Sequence, residues 1–256
     1  MSEKSLAGRK ALVTGGARGI GAAIAEALAH AGASVMIGDI LVDLGKETAG
    51  RLAKTGARTG CVELNVTDDA QWEKAVAATI AALGGYDILI NNAGIEITSL
   101  VIDLKAEDLR RMCDVNIVGT GLGMKHAFRA MRPGGSAGAG GAIVNVASVN
   151  GVVPGMQQGI YSITKAAVIS MTKAFAVECA ESGVRCNALL PGLTDTKFAS
   201  VLVNTPAILK SALAHVPMRR VAQPSEMAGA ALYLASDAAS YTTGAVLNVD
   251  GGYLSV

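Results

Sequence analysis

Short apolar runs alternate with longer stretches of helical periodicity along this chain of 256 residues. The predicted strands cover residues 10–14, 34–38, 62–66, 86–91, 142–147, 184–190 and 245–249. Most of these runs are continuously apolar, which is typical of strands buried on both faces of a parallel sheet. Their alternation with helices predicts an α/β fold, namely a single-domain Rossmann-type doubly wound parallel sheet of about seven strands with helices on both faces.

The connecting segments carry further signals. A helix is predicted over residues 20–31, and Asp68 and Gln71 have the spacing of a capping box at the start of another helix. Residues 193–217 have apolar positions at helical spacing and directly follow a strand. Because ligands bind beyond the carboxyl ends of strands in open α/β sheets, this segment is predicted to form a substrate lid.

Length and composition favour one large domain, residues 1–256, with part of its surface covered. Hydrophobic residues make up 51% of the chain and charged residues 17%, against roughly 25% charged residues in an average soluble domain. This deficit predicts contact with another subunit. No apolar run approaches the roughly 20 residues needed to cross a bilayer, and the first residues are polar. We therefore expect a cytoplasmic protein without a membrane segment.

Charge and metal-binding residue types argue against two other classes of protein. The net charge is +1, and no basic block favours nucleic acid as a partner. The four cysteines, at positions 61, 113, 179 and 186, form no CxxC pair. His30, His126 and His215 lack the spacing of metal ligands. We expect reduced thiols and no metal site.

A glycine-rich turn joins the first strand to the first helix. Gly15, Gly19 and Gly21 would allow a tight turn and a close approach of backbone to phosphate, beside the positive end of a helix dipole. Such a pattern alone is equally compatible with an ordinary turn. Asp39 strengthens the dinucleotide interpretation, because it ends the next strand eighteen residues after Gly21, close to the ~20 expected for a ribose-binding carboxylate.

Asp39 also bears on the choice of cofactor. Its carboxylate could accept hydrogen bonds from the adenosine ribose and would repel a 2′-phosphate. Arg18 in the glycine-rich turn favours that phosphate instead, but the residue after Asp39 is Ile40, so no second cation supports Arg18. We give the carboxylate more weight and predict NAD.

A second set of residues suggests acid/base chemistry. Tyr161 and Lys165 stand four residues apart, and Ser148 lies thirteen residues before Tyr161. On a helix, positions i and i+4 share a face, so the ammonium would favour the phenolate and lower the tyrosine pKa from about 10. Ser148 could hydrogen-bond a substrate oxygen where charge develops. The tyrosine–lysine spacing alone is common, but together with the dinucleotide signature it predicts hydride transfer between a nicotinamide and an alcohol or ketone.

These residues resemble the short-chain dehydrogenase/reductase family. The similarity extends over residues 10–253 and rests on motifs that occur in order at 14–21, 39, 91–94, 116, 148, 161–165, 191–194 and 248–252. The resemblance implies that Asn116, Ser148, Tyr161 and Lys165 are catalytic, with Tyr161 as proton donor and acceptor. It also implies that Lys165 binds the nicotinamide ribose, and that Asn116 holds a helix kink and an ordered water leading to Lys165.

The resemblance implies a cofactor-binding set as well. The glycine-rich turn and the residues after the fourth and sixth strands would hold the dinucleotide, with residues 92–94 near the adenosine and ribose and 191–194 over the carboxamide and phosphate side. The full set is Gly15, Arg18, Gly19, Ile20, Gly21, Asp39, Asn65, Val66, Asn92, Ala93, Gly94, Tyr161, Lys165, Pro191, Gly192 and Thr194. Asn65 departs from the aspartate that many relatives carry beside the adenine, although its amide still offers an acceptor and donors.

Two alternatives to an NAD-dependent dehydrogenase remain open. The first is a 3-oxoacyl carrier-protein reductase, in which Arg129, Arg132 and Lys173 would form a basic dock for an acidic carrier protein. Asp39 argues against it, because such relatives mostly use NADPH. The second is a non-catalytic, dinucleotide-sensing member of the fold, and the intact set of catalytic residue types argues against that.

The predicted substrate pocket combines polar groups with an apolar lid. Its residues would be Glu96, Ser148, Asn150, Met156, Gln158 and Tyr161. Glu96 and Asn150 could select a hydroxylated or amine-bearing compound, or both could face solvent. The apolar lid residues are Leu193, Phe198, Val201, Leu202, Val203, Ile208 and Leu209, and the lid cations are Lys197 and Lys210. Since the lid has no arginine clamp for an anion, we expect a largely apolar, uncharged alcohol or ketone as the small-molecule partner.

We predict a homotetramer with two-fold interfaces. The low charge fraction indicates covered surface, and the helices around Met124 and Phe175 are apolar on more than one face. Family members that resemble this chain pair through those two helices.

Overall fold

Seven parallel strands form one sheet in the computed structural model, which describes residues 5–138, 140–197 and 205–256. The strands are β1 (Lys10–Thr14), β2 (Ser34–Asp39), β3 (Thr59–Glu63), β4 (Ile88–Asn91), β5 (Gly141–Val146), β6 (Val184–Pro191) and β7 (Val246–Val249). Their order across the sheet is β3-β2-β1-β4-β5-β6-β7, and each neighbouring pair is parallel. This confirms the predicted doubly wound α/β architecture.

Helices connect the strands on both faces of the sheet. They are α1 (Gly19–His30), α2 (Val42–Ala53), α3 (Asp69–Leu83), α4 (Ala106–Cys113), α5 (Gly119–Met131), α6 (Gly159–Cys179), α7 (Pro206–Leu213) and α8 (Pro224–Ala235). A π-helical turn, Asp114–Val118, joins α4 to α5, and 3₁₀ turns at Val101–Asp103 and Val149–Gly151 precede α4 and α6.

Alternate residues of the central strands face two different layers of helices. Val13 and Ile37 pack in a cluster with the buried faces of α1 and α8, and both are fully buried. Leu12 and Leu89, also fully buried, pack in a second cluster with α3, α5 and α6. Burying each such side chain contributes roughly 1.5–3 kcal/mol. The sheet is therefore packed between two layers of helices, and its carboxyl edge positions the residues that follow the strands.

Helix α6 is apolar because it lies in the core. Together with the turn that follows, residues 159–182, it is long and apolar enough to pass a length-and-composition test for a membrane span. However, 44% of an apolar 18-residue window within that stretch is buried inside the fold, and the helix packs along β6 through Val168 and Ala176. This packing accounts for the buried apolar residues of α6.

The third strand lies three residues before its predicted position, at Thr59–Glu63 instead of 62–66. Leu64 and Val66 are buried as their apolar character indicated. They nevertheless belong to the turn that enters α3, where the Val66 carbonyl accepts a hydrogen bond from Trp72 Nε1 at 2.9 Å. The apolar pattern thus recorded burial correctly but did not distinguish strand pairing from packing of a turn.

Asp68 caps α3 as predicted, but the reciprocal half of the capping box is wrong. Asp68 Oδ1 accepts hydrogen bonds from the backbone N–H groups of Ala70 and Gln71 at 2.9 and 3.1 Å. Gln71 Oε1 instead accepts from Asn65 N at 2.8 Å. The reason is that Asp68 N already donates to the Asn65 carbonyl at 3.0 Å, so it needs no side-chain partner.

The predicted lid falls partly outside the described residues. Residues 198–204, which include Phe198, Val201, Leu202 and Val203, are not among them. Helix α7 agrees with the helical spacing that the lid sequence shows, and Lys210 on it is exposed. Before the gap, the Leu193 carbonyl accepts from Ala222 N at 2.9 Å, which anchors the start of the segment. The function of this segment as a lid stays a prediction.

Candidate active site

The predicted site residues lie mainly around the carboxyl edge of the sheet, where the strand order reverses between β1 and β4. This position is the ligand-binding crevice of open α/β sheets. The glycine-rich turn follows β1, residues 92–96 follow β4, and Ser148 follows β5.

The glycines of the turn are required by close backbone contacts. Gly15 and Gly19 have φ values of +61° and +60°, which strain any residue with a side chain. A Cβ on Gly15 would lie 2.9 Å from Ala93 Cα, and one on Gly21 would lie 2.4 Å from the Gly15 carbonyl oxygen. The turn is therefore packed directly against the loop after β4.

Side-chain hydrogen bonds lock these two loops together. Asn92 Nδ2 donates to the carbonyls of Thr14 and Gly15 at 3.0 and 3.1 Å. In the other direction, Thr14 Oγ1 accepts from the backbone N–H groups of Asn92 and Ala93 at 3.0 and 3.1 Å. Asn92 and Ala93 thus fix the shape of the glycine-rich turn.

The start of α1 fits a dinucleotide pyrophosphate. Arg18 occupies the N-cap position without a side-chain cap, and the first turn has no acidic residue. The first N–H groups of the helix, including those of Gly19 and Ile20, therefore have no intrahelical acceptor and point toward any bound anion. Among the residues that the structure describes, the atom nearest to a Cβ on Gly19 would be Thr196 Cγ2 at 3.7 Å, so these residues leave space beside the backbone.

Asp39 is held at the end of β2 by two backbone donors. Its Oδ2 accepts from Ala17 N at 3.0 Å and its Oδ1 from Leu41 N at 2.9 Å. A carboxylate has about four acceptor positions, so lone pairs remain for ribose hydroxyls. Arg18 and Ile40 are both exposed. The carboxylate is therefore the charge that the fold fixes in place here.

The residues predicted near the adenine are only partly available. Asn65 is exposed, but its Oδ1 accepts from Thr67 N at 3.1 Å and from Thr67 Oγ1 at 2.9 Å, which occupies both lone pairs. Its side-chain amide can thus act toward a ligand only as a donor. Val66 is 6% exposed and lies in the same turn.

The residues after β6 form the opposite wall. Pro191 ends the strand, and a Cβ on Gly192 would lie 2.7 Å from Asp250 Cα, so this glycine allows close packing of the C-terminal turn. Thr194 is 4% exposed, and its Oγ1 donates to the Gly192 carbonyl at 2.9 Å.

Tyr161, Lys165 and Ser148 converge at this edge, and all are buried. Lys165 Nζ lies 5.7 Å from the centroid of the Tyr161 ring and donates to the Val146 carbonyl at 2.8 Å. Tyr161 shares a side-chain hydrogen bond with Ser148. The Val146 carbonyl is a backbone group, so no sequence signal could have identified it as the lysine's partner.

Asn116 lies in the π-helical turn and ties three elements together. Its Oδ1 accepts from Ile95 N, and its Nδ2 donates to the Ile95 carbonyl and to Thr164 Oγ1, each at 2.9 Å. The irregular turn thus points the amide at the loop after β4 and at α6. Thr164 was not predicted, although its position three residues after Tyr161 could have suggested it.

Burial shifts the pKa values of both ionisable groups toward their neutral forms. The pKa of Tyr161 is raised by burial and by the negative charge of Glu96, while its hydrogen bond with Ser148 acts in the opposite direction. The pKa of Lys165 is lowered by burial to about 8, although Glu96 raises it. The net shift of the Tyr161 pKa is therefore upward, opposite to the lowering expected from Lys165, because burial and the charge of Glu96 dominate.

Three predicted substrate residues are joined in a hydrogen-bonded chain. Asn150 Nδ2 donates to Gln158 Oε1 at 2.6 Å, and Gln158 Nε2 donates to Glu96 Oε1. Asn150 N also donates to Ser148 Oγ at 3.1 Å, which connects the chain to the predicted catalytic residues. Met156, by contrast, is 85% exposed and touches none of these groups through a hydrogen bond. Thus Glu96 and Asn150 do not simply face solvent.

Comparisons with known proteins give consistent matches over the whole chain. A sequence profile for a family described as enoyl-(acyl carrier protein) reductase matches residues 15–254. The chain is 41% identical over 255 residues to cis-4-hydroxycyclohexanecarboxylate dehydrogenase of Sinomonas cyclohexanicum, with 99% of each chain covered. It is 39% identical over 247 residues to 3-alpha-(or 20-beta)-hydroxysteroid dehydrogenase of Mycobacterium tuberculosis, covering 96% of this chain and 90% of the relative.

Solved structures give the same result. A gluconate 5-dehydrogenase from Burkholderia cenocepacia, in complex with NADP and tartrate, aligns with a TM-score of 0.93 at 32% identity. That alignment covers 99% of this chain and 98% of the other.

Proposed function

We propose that this chain, which belongs to the short-chain dehydrogenase/reductase family, is an NAD-dependent oxidoreductase that interconverts a secondary alcohol and its ketone. The named relatives are dehydrogenases, and two of them act by name on alcohols carried by carbon rings. We therefore extend the proposal to ring-bearing secondary alcohols as the first substrates to test.

The observation that carries this proposal is the position of Gly94 between the two halves of the site. A Cβ on Gly94 would lie 3.2 Å from Asn116 Oδ1 and 3.5 Å from Lys165 Nζ. The loop containing Gly94 is also bonded to the glycine-rich turn through Asn92. A dinucleotide on that turn would thus reach the acid/base residues across one glycine.

In the proposed mechanism, Tyr161 moves the proton at the substrate oxygen. During oxidation its phenolate takes the hydroxyl proton as the carbon–hydrogen bond breaks, and during reduction its phenol returns that proton. Ser148, already hydrogen-bonded to Tyr161, holds the same oxygen in line with the tyrosine. The nicotinamide, when bound, accepts or supplies the hydride.

Lys165 and Asn116 act on position and charge in this proposal. Lys165 is fixed by the Val146 carbonyl and can stabilise negative charge on the phenolate over the ring. Asn116 holds the π-helical turn, the loop at Ile95 and α6 in one arrangement. Because proton transfer needs hydrogen-bond contact, this arrangement sets how often the reacting atoms are aligned.

We propose NAD as the cofactor because Asp39 presents its charge where the adenosine ribose would lie. A 2′-phosphate there would face a carboxylate that two backbone donors hold in place. The Burkholderia relative was solved with NADP, so the preference of this chain has to be measured directly.

The carrier-protein reductase alternative would use the exposed cations Arg129, Arg132 and Lys173 on and beside α5 and α6. It predicts NADPH-dependent reduction of 3-oxoacyl substrates. The non-catalytic alternative predicts dinucleotide binding without turnover of any substrate.

One experiment separates these possibilities. The purified protein is mixed with NAD or NADP and a panel of ring-bearing secondary alcohols, and with NADH or NADPH and the matching ketones and a 3-oxoacyl thioester, while nicotinamide absorbance is followed. Our proposal requires turnover of at least one alcohol with NAD, and its loss in Tyr161→Phe. NADPH-dependent thioester reduction alone, or cofactor binding without any turnover, would each support the corresponding alternative.

We also propose a homotetramer, although the residues that support it differ from those expected from the sequence. The structure buries Met124 in the core, where it is 2% exposed, so this residue does not mark an interface. The exposed apolar side chains of the same region are Val118, Ile163 and Val177, at 45%, 59% and 80% exposure. Light scattering at micromolar concentration tests the assembly, and a monomer mass would contradict it.

A further inference from the structure

The hydrogen-bonded chain of Asn150, Gln158 and Glu96 joins three separate elements beside the reacting groups. Asn150 lies in the 3₁₀ turn directly after Ser148, Gln158 is the N-cap residue of α6, and Glu96 follows β4. Each element also carries or contacts a proposed catalytic residue. The chain is therefore fixed relative to Tyr161.

The direction of the chain makes Glu96 its acceptor end. The Gln158 side chain has a carbonyl oxygen on one side and an NH₂ group on the other. Asn150 donates to the oxygen, so the NH₂ group faces Glu96 Oε1. A carboxylate satisfies this geometry, because it accepts at both oxygens.

The backbone before Gln158 allows its side chain to reach the position between Asn150 and Glu96. Gly155 leaves the necessary space, since a Cβ at that position would lie 2.1 Å from Gln158 Oε1. Gln157 has a φ of +62°, an uncommon conformation for a residue with a side chain, and its carbonyl accepts from Ser99 N at 2.9 Å. Such strain persists only where the surrounding structure holds it, and it is concentrated at functional sites.

The second oxygen of Glu96 is an open acceptor. Within the described ranges, only Oε1 of this half-buried side chain accepts a hydrogen bond from the protein. The carboxylate is near enough to Tyr161 and Lys165 to shift the pKa of each. A group on the substrate that lies beside the reacting carbon would therefore meet a negatively charged acceptor.

Exposed apolar side chains lie in the segments that flank Asn150 and Gln158. Val101, Ile102, Val152, Val153 and Met156 are all exposed, in the 3₁₀ turn before α4 and the segment before α6. The first of these turns reaches α6, because a Cβ on Gly159 would lie 3.1 Å from Val101 Cγ2. A hydrocarbon ring could cover these side chains while its polar substituents face Tyr161 and Glu96.

We propose that Glu96 is a specificity-determining residue that accepts a hydrogen bond from a second donor group, a hydroxyl or an ammonium, on the same substrate that Tyr161 acts upon. This inference rests on the proposed function. It narrows the substrate class to diols and amino alcohols on an apolar skeleton, and it disfavours a carboxylate at that position. Gln158 and Asn150 are positioning residues that aim the carboxylate.

The variant Glu96→Gln provides a sharp test, because it inverts the open group. The new amide oxygen would accept from Gln158 Nε2, which leaves an NH₂ donor where the open carboxylate oxygen was. Hydrogen bonds to charged groups are typically worth about 1.5–3 kcal/mol, or about 10- to 100-fold in an affinity. Relative to the unsubstituted alcohol, activity on the amino alcohol should fall about 10- to 100-fold and activity on the carboxylate-bearing alcohol should rise.

The assay measures kcat/KM with NAD for cyclohexanols that carry no second group, a second hydroxyl, an amino group or a carboxylate at each other ring position. Each value is divided by that for the unsubstituted alcohol, so that changes common to all substrates cancel. Glu73→Gln, an exposed carboxylate on α3, is the matched control and should leave every ratio unchanged. Gln158→Met leaves the charge of Glu96 unchanged but removes the hydrogen bond that positions its carboxylate. The ratios should therefore move toward one.

The outcomes separate the two proposals. Suppose that the wild-type protein has the same kcat/KM for the unsubstituted alcohol as for the diol and the amino alcohol at every ring position. The inference about Glu96 is then wrong, and the proposed function stands. Equal changes for all four substrates in Glu96→Gln would also overturn it. If the wild-type protein oxidises none of a wide panel of alcohols, the proposed function fails and the inference fails with it. Should Glu96→Gln not fold, the ratios of Gln158→Met decide, and unchanged ratios there would overturn the inference.

Discussion

Replacing Asn116 with alanine should cost both stability and activity, for reasons that the contacts specify. Asn116 is 1% exposed and makes three hydrogen bonds of 2.9 Å, two with Ile95 and one with Thr164. Alanine would leave all three partner groups without this side chain. The π-helical turn would then lose its tie to the loop after β4 and to α6.

The size of the effect follows from what each partner can do instead. Ile95 is only partly buried, so water can replace part of the loss at its N–H and carbonyl groups. Thr164 Oγ1 keeps its hydrogen bond to the Tyr161 carbonyl at 2.7 Å. At about 1 kcal/mol for each Ile95 group and up to about 1 kcal/mol for Thr164, the sum is about 2–3 kcal/mol. For a domain of this size, each kcal/mol lowers Tm by roughly 2–4 °C, so we expect a fall of about 4–12 °C.

Thermal unfolding followed by circular dichroism measures this change, at a fixed protein concentration because an oligomer has a concentration-dependent Tm. Asn65→Ala is the control, since Asn65 is exposed and its hydrogen bonds are confined to its own turn. Its Tm should change by much less. A Tm for Asn116→Ala within about 1 °C of wild type would show that this amide does not hold the three elements together, and the positioning argument would fail.

Four further predictions concern the proposed chemistry. Tyr161→Phe should lower kcat by about 10²–10⁴-fold while NAD binding survives, as seen by equilibrium dialysis, and near wild-type turnover would exclude Tyr161 as the acid/base. Asp39→Ser should weaken NAD and improve NADP, measured as the ratio of kcat/KM values, and a wild-type preference for NADP would contradict the assignment. Because burial and Glu96 raise the pKa of Tyr161, alcohol oxidation, which needs the phenolate, should accelerate from about pH 7 to about pH 10, whereas ketone reduction, which needs the phenol, should not. Hydrogen exchange across residues 193–217 should slow when NAD and substrate are added together, and unchanged exchange would count against a lid.

The central part of the fold could be predicted because its strands are buried on both faces. β4 and β5 contain the apolar runs Ile88–Ile90 and Ala142–Val144, and every residue of β4 is buried. β3 is at the edge of the sheet, pairs only with β2 and contains Thr59 and Gly60, so its pattern is weaker. The third strand was therefore predicted too late in the chain, at residues 62–66, because Leu64 and Val66 are apolar. Their burial comes from packing around α3. An apolar run predicts that a segment is buried. Whether the segment forms a strand also depends on a neighbouring strand, which the run itself does not specify.

The candidate site divides in a similar way. Glycines could be located from sequence because their roles depend on the absence of a side chain, as at Gly15 and Gly21. The chain from Asn150 through Gln158 to Glu96 could not, because its members come from three loops and caps whose relative positions only the folded sheet determines. The sequence named all three as polar residues near the substrate, but not as one connected unit with a direction.

The spacing of Tyr161 and Lys165 shows why sharing a helix face does not specify an electrostatic effect. Two positions four residues apart lie one above the other, and a long lysine side chain can end at either part of the tyrosine. Here the Val146 carbonyl draws the amine over the ring, while Ser148 takes the hydroxyl. Burial then raises the pKa of the tyrosine and lowers that of the lysine. The negative charge of Glu96 raises both pKa values. It therefore adds to the effect of burial at Tyr161 and opposes the effect of burial at Lys165. The same carboxylate that we propose to select the substrate therefore also adds to the rise that burial causes in the pKa of Tyr161.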